Sequence, residues 1–179
     1  SLSMAELTAV LPDIQWKPTS YREFGLFSTS QKLDQAFLDT LGGTLLLAQE
    51  LSACGTIGDI PKLLKEALGT RKSKATFSIR AYGLKHDQVH TLLRDCKNYL
   101  KDNKIPSRYV GNEHTPAKAI QLHDEGLISG KEGCEILILA DEDGEKIWIG
   151  KTIAAHDIKA YTLRDIGKPV RDTQVGLLP

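Results

Sequence analysis

The stretch DQVHTLLRDCKNYLKD, Asp87 to Asp102, constrains the fold of this chain more than any other. Val89, Leu92, Leu93, Cys96 and Leu100 fall within a sector about 100° wide at 3.6 residues per turn, so this is a helix with one face in a core. Its neighbours in sequence supply a sheet for that face. "TFSIRAYG" precedes it, with Phe77, Ile79 and Ala81 facing one way and Ser78, Arg80 and Tyr82 the other, the alternation of a strand. After Pro106, "SRYVG" reads as a short strand and "TPAKAIQLHDEGL" as a helix with Thr115 as N-cap and Pro116 at its first position. "CEILILA" and "KIWIGKTIA" flank Asp141-Glu142-Asp143-Gly144, the turn of a hairpin. The order is β-α-β-α-β-β.

The N-terminal part reads differently. Ser3-Met4-Ala5-Glu6 has the form of a capping box, with Leu2 and Leu7 at the positions of a hydrophobic staple, so a helix is expected to run from there to Leu11, before Pro12. "DIQW" and "REFGLFST" read as strands around Lys17-Pro18. "QKLDQAFLDTL" places Leu33, Phe37 and Leu41 on one helical stripe that ends at Gly42-Gly43, and "TLLLAQEL" follows as a buried strand. This order, α-β-β-α-β, is a ferredoxin-like βαββαβ unit lacking its first strand. Either that strand lies upstream of Ser1, or Met4 follows a three-residue tag remnant and the sheet has three strands. "DIPKLLKEAL" reads as a helix from Asp59 to Leu68, and the polar basic stretch "GTRKSKA" is the expected boundary.

Composition, 41% hydrophobic and 26% charged, is that of a soluble globular chain. No apolar run approaches the roughly 20 residues a membrane-spanning helix needs and no signal-peptide pattern is present, so a cytoplasmic location and no membrane partner are expected. Cys54, Cys96 and Cys134 form no Cys-x-x-Cys pair, and the histidines lack metal-ligand spacing, so no metal site is expected. Net charge is zero, but residues 1–69 carry 5 basic and 8 acidic residues against 18 and 15 in 70–179. An anionic partner is therefore sought in the second part.

There, Arg94, Lys97, Lys101 and Lys104 follow one another at spacings of 3, 4 and 3 along one flank of the long helix, while Asp95 and Asp102 fall on the opposite flank. Segregation of this kind suits a surface that lies against phosphates, although a solvated amphipathic face carries the same pattern. Arg108 and Lys118 extend the patch if the helices that carry or follow them are neighbours. Arg164, Lys168 and Arg171 in "RDIGKPVRD" add arginines on a proline-stiffened loop, each arginine beside an aspartate that can pair with it. No catalytic residues are expected. Asp141-Glu142-Asp143 occupies a turn, and His123-Asp124-Glu125 and His156-Asp157 have no nucleophile tied to them. "GTIG", Gly55 to Gly58, is too short for a phosphate-binding loop.

The order of elements, with "LSMAELTAVLP", "LGGTLLLAQEL", "FSIRAYG", "EILILADEDGEKIWIGKTIAAHDIKAYTLRD" and "GKPVRDTQVGLLP", resembles the amino-terminal half of the tRNA (guanine-N2)-methyltransferases that act on the guanosine at position ten. The resemblance covers nearly the whole chain and is strongest from Lys146 to Pro179. It implies a ferredoxin-like domain over 1–69, a THUMP domain over 70–163 and a linker over 164–179 leading to a methyltransferase domain. It implies tRNA as partner, bound by shape and backbone near the acceptor stem and 3′ end, and an upstream first strand. It also implies an activator protein as a possible further partner. The family's S-adenosylmethionine loop and Asn/Asp-Pro-Pro-Tyr motif would lie beyond Pro179. No cofactor is thus expected in this chain, and no methyl transfer by it alone. Two readings from other classes are a ferredoxin-like small-molecule regulatory module, marked by a deep apolar pocket, and a structural spacer or protein-docking unit. A THUMP unit of a thiouridine or pseudouridine synthase fits the C-terminal motif less well.

Overall fold

A computed structural model describes residues 2–19, 21, 24–70, 73–112, 115–128, 132–141 and 147–157. Its elements follow in the order α1 (Leu2–Val10), β1 (Gln15–Lys17), β2 (Leu26–Ser28), α2 (Gln35–Leu38), β3 (Leu46–Gly55), a short 3-10 turn (Ile57–Asp59) and α3 (Ile60–Leu68). Then come β4 (Ala75–Tyr82), α4 (His86–Asp102), β5 (Ser107–Tyr109), α5 (Ala119–Asp124), β6 (Gly133–Ala140) and β7 (Ile147–Ala155). The chain is mixed α+β. Among the described residues β1 and β2 form an antiparallel pair, and the other strands form a five-stranded mixed sheet in the order β3-β7-β6-β4-β5.

Helix α4 starts and stops within a residue of its expected bounds because its apolar stripe is the strongest periodic signal in the chain. The Gln88 side chain accepts the Lys85 amide at 2.8 Å, satisfying one of the amides that a helix start leaves open. At the far end Lys104 takes a φ of 58° while the Ile105 amide donates to the Leu100 carbonyl at 2.9 Å, a left-handed stop that usually falls to glycine. Leu92, Leu93, Cys96 and Leu100 join Ile60, Leu64 and Leu68 of α3 in one core. That core covers one face of the sheet, Phe77 and Ile79 of β4, Ile136 and Ile138 of β6, and Ile147 and Ile149 of β7. Burying each such side chain stabilises by about 1.5–3 kcal/mol.

β4 runs parallel to both β5 and β6, so α4 and α5 lie in crossover connections, while β6 and β7 are antiparallel with Ala140 opposite Ile147. The hairpin strands are as expected; residues 142–146 of the turn lie outside those described. Gly83 leaves β4 with a φ of 81°, and a Cβ there would overlap the Ala140 carbonyl oxygen. The chain crosses so close to β6 that only glycine fits.

Several expectations shift. Ser3 lies inside α1 rather than capping it: its hydroxyl donates to the Gly43 carbonyl at 2.6 Å, and Glu6 accepts the Gly42 and Gly43 amides at 2.6 and 3.0 Å. The two residues tie α1 to a distant turn instead of closing their own helix. α2 shrinks to a single turn because the Asp34 carboxylate caps it, accepting from Phe37 N at 3.0 Å, and Thr40 donates back to the Phe37 carbonyl at 2.7 Å. α5 begins at Ala119, its cap at Lys118, not at Thr115 and Pro116. Thr115 instead donates through its amide and hydroxyl to the Asn112 side chain, at 2.6 and 2.8 Å, which holds it in a turn.

The largest difference is β3. It does not complete a three-stranded sheet with β1 and β2; it pairs antiparallel with β7, Leu46 opposite Ala155, through three register shifts. α3 likewise shares its core with β4 and α4. Elements on the two sides of the basic stretch at Gly69 are therefore joined by one sheet and one core. α1, α2 and β3 are drawn together by a second cluster of Leu7, Leu11, Leu38, Leu41 and Leu47 with Ala154 of β7. Gln35 secures this join, its side chain donating to the Ala155 carbonyl at 2.9 Å and accepting the Ala155 amide at 3.1 Å.

Candidate nucleic-acid interface

Arg94, Lys97 and Lys101 project from α4 on the flank beside the edge strand β5, and Lys104 follows in the stop. All four are exposed. The Lys97 ammonium stands 5.8 Å from the centre of the Tyr109 ring, within the range of a cation–π contact. Tyr109 in turn meets Phe77 edge to face, centroids 5.4 Å apart, and burial pushes its phenol pKa up, so the ring is a fixed neutral support for the lysine. Lys97, Ser107, Arg108, Tyr109 and Asn112 border an open groove of about 680 Å³. The fold thus brings Lys97 and Arg108 together, as the spacing along α4 alone could not establish.

The remaining cations differ in how committed they are. Arg94 has a surface contact with Asp95 at 3.8 Å, both more than half exposed, a pair of little energetic weight. Arg108 is engaged more firmly: both its terminal nitrogens reach the Glu125 carboxylate. Lys101 and Lys104 have no ion pair among the described residues. Lys118 does not join this surface. It lies at the start of α5, beside the opposite face of the sheet. Arg164, Lys168 and Arg171 lie outside the described residues.

That opposite face holds what the sequence reading missed. An open groove of about 1340 Å³ lies between the β1–β2 pair and the sheet, bordered by Trp16, Phe24, Tyr82, Leu139 and Trp148 among others. Its charged lining is Lys17, Lys32, Arg80 and Lys118 against Glu50. Arg80 is fixed beneath it. Its guanidinium donates to both oxygens of Glu135, at 3.1 and 3.2 Å, and to the Ala117 carbonyl at 2.6 Å, while Thr152 donates to Glu135 at 2.8 Å. Glu135 is fully buried, its charge met by Arg80. One signal was available: Arg80 and Glu135 are the lone opposite charges in two apolar strands, both at positions pointing away from the helices.

The other polar groups hold the fold. His123 contacts the Ala155 carbonyl at 2.8 Å, joining α5 to β7. Asp59 accepts the Thr56 amide and hydroxyl, each at 2.8 Å, so the glycines of "GTIG" sit in a self-capped turn. Among the described residues no group of three or more His, Cys, Asp or Glu could hold a metal, and no helix is long and apolar enough to cross a membrane. Cys96 and Cys134 are buried thiols outside any disulfide, and burial pushes the Cys96 thiol up to about 12. Compared with known proteins, the chain matches no family model and no curated protein.

Proposed function

We propose that this chain is a tRNA-binding module, a THUMP-like unit preceded by a ferredoxin-like one, that presents tRNA to a methyltransferase domain in the cytoplasm. The observation that carries the reading is the Lys97 ammonium held over Tyr109 beside Arg108, on the flank that also carries Arg94, Lys101 and Lys104. Cations held on a rigid helix and strand edge, with Arg94 alone of the four on α4 and its stop in contact with an aspartate, Asp95, among the described residues, suit the phosphate backbone of a folded RNA, which proteins read by shape more than by sequence. The resemblance to the guanosine methyltransferases supplies the rest: S-adenosylmethionine belongs to the catalytic domain, which alone transfers the methyl group, and an activator protein is a further partner.

The test is binding of folded tRNA by fluorescence anisotropy across a range of salt. Affinity should fall steeply with salt, and replacing Arg94, Lys97, Lys101 and Lys104 by glutamate should remove most of it. Salt-independent binding, or a quadruple variant that binds as the parent does, overturns the reading.

A second reading, a small-molecule regulatory module, is favoured by one observation, the apolar groove on the opposite face. Saturable binding of a small planar ligand there, with no affinity for tRNA, would select it.

A further inference from the structure

We infer that the groove on the sheet face opposite α3 and α4 takes an unpaired nucleotide of an RNA strand, its base laid on Trp148 and its phosphates toward Lys17 and Lys118. That the strand is RNA rests on the tRNA-binding reading; that the groove suits a base and its phosphate rests on the geometry below.

Trp148 is built as a platform. It points away from the helices, as its register partner Leu139 does, and a Cβ on Gly150 would overlap its six-membered ring. The indole therefore lies down along β7 over the glycine instead of standing off the sheet. Its Nε1 donates to the Glu50 carboxylate of β3 at 2.7 Å, which fixes the ring's direction. One face of the ring is against the backbone, and the side chain, partly exposed, borders the groove. Across the same groove Tyr82 and Phe24 meet edge to face with centroids 4.7 Å apart, giving a second aromatic wall.

Charge selects the ligand. Among the described residues five charged groups line the groove, and two of them are already committed, Arg80 to Glu135 and Glu50 to Trp148. Lys17, Lys32 and Lys118 are left around an aromatic floor, a combination that fits a planar base carrying a phosphate. The groove, about 1340 Å³, has room for a nucleotide together with its neighbours along a strand. Stacking a base on an aromatic side chain is sequence-tolerant, so purines and pyrimidines both enter. This face is separate from the α4 flank, and the two surfaces can be tested apart.

The chain has two tryptophans and both border the groove, so the part of the parent's emission change that Trp148→Phe loses reports Trp148. Titration with a short single-stranded oligoadenylate should quench it saturably, and a blunt RNA hairpin should quench it far less. Trp148→Leu should weaken oligonucleotide binding about tenfold and Trp148→Phe less, as expected for a lost stack. Lys17→Glu with Lys118→Glu, both on the surface, should weaken it comparably and covers the case in which Trp148→Leu does not fold. Unchanged emission at saturating oligonucleotide, or full affinity in the lysine pair variant, overturns the proposal. Adenosine monophosphate binding as tightly as the oligonucleotide overturns the strand and assigns the groove to a free nucleotide. Oligonucleotide quenching that survives glutamate at Arg94, Lys97, Lys101 and Lys104 separates this site from the α4 surface. If tRNA affinity also survives there, the α4 reading fails and this one stands.

Discussion

The Arg80 guanidinium meets the Glu135 carboxylate through two hydrogen bonds, 3.1 and 3.2 Å long, with Arg80's side chain 16% exposed and Glu135's not at all. Two strands that bury isoleucines on one face thus bury an ion pair on the other. Glu135→Gln should leave the guanidinium charge unpaired and cost about 3 kcal/mol in urea unfolding. Replacing both residues with leucine and methionine should cost less than the single change, because no lone charge is then buried.

On the α4 surface the cations should not contribute equally. Lys97→Ala and Lys101→Ala should each reduce the salt slope of tRNA binding by about one. Arg108→Ala should do less, since its guanidinium is already occupied by Glu125. Glu125→Ala should strengthen binding by releasing Arg108. Anisotropy titrations at several salt concentrations check all three, and a weaker Glu125→Ala complex would contradict the geometry.

Thiol reactivity should separate the cysteines. Cys54 is exposed, whereas Cys96 and Cys134 are buried and burial holds the Cys96 thiol at about 12. Iodoacetamide at neutral pH should modify Cys54 alone in the folded protein and all three in denaturant, read by mass spectrometry.

Asp13 sets an acid limit. It accepts the Ser30 amide at 2.6 Å and the Thr29 and Ser30 hydroxyls at 2.7 Å each, and these bonds hold its carboxyl at about 2. A depressed folded-state value stabilises above the unfolded aspartate's pKa of about 3.9. That contribution is lost as pH falls through about 2. Thermal unfolding of the parent and Asp13→Asn should therefore differ at pH 6 and converge toward pH 2.

Local signals were legible and non-local ones were not. The stripe of α4, the alternation of β4 and the apolar runs of β6 and β7 each declare themselves within a few residues, and these elements stand where expected. Ser3 and Glu6 look like a cap by spacing, yet the amides they satisfy belong to Gly42 and Gly43, which no window along α1 contains. Thr115 and Pro116 likewise have the right chemistry for a helix start, but Asn112 claims the threonine first. For the interface, the row of cations on α4 was readable from periodicity. Its meeting with Tyr109 and Arg108 depends on β5 lying beside β4, and the displacement of Lys118 to the other face on the path of the chain into α5.

The pairing of β3 with β7 has a consequence for how the chain is made. Leu46 and Ala155 face each other although they are roughly a hundred residues apart. At about 5–20 residues per second, β3 leaves the ribosome roughly 5–20 seconds before its partner strand exists. During that interval Leu47, buried in the finished fold opposite Ala154, has no β7 to lie against. The strand made early at the edge of the sheet is thus the one placed late, and a chaperone that shelters nascent apolar segments would find its opportunity there.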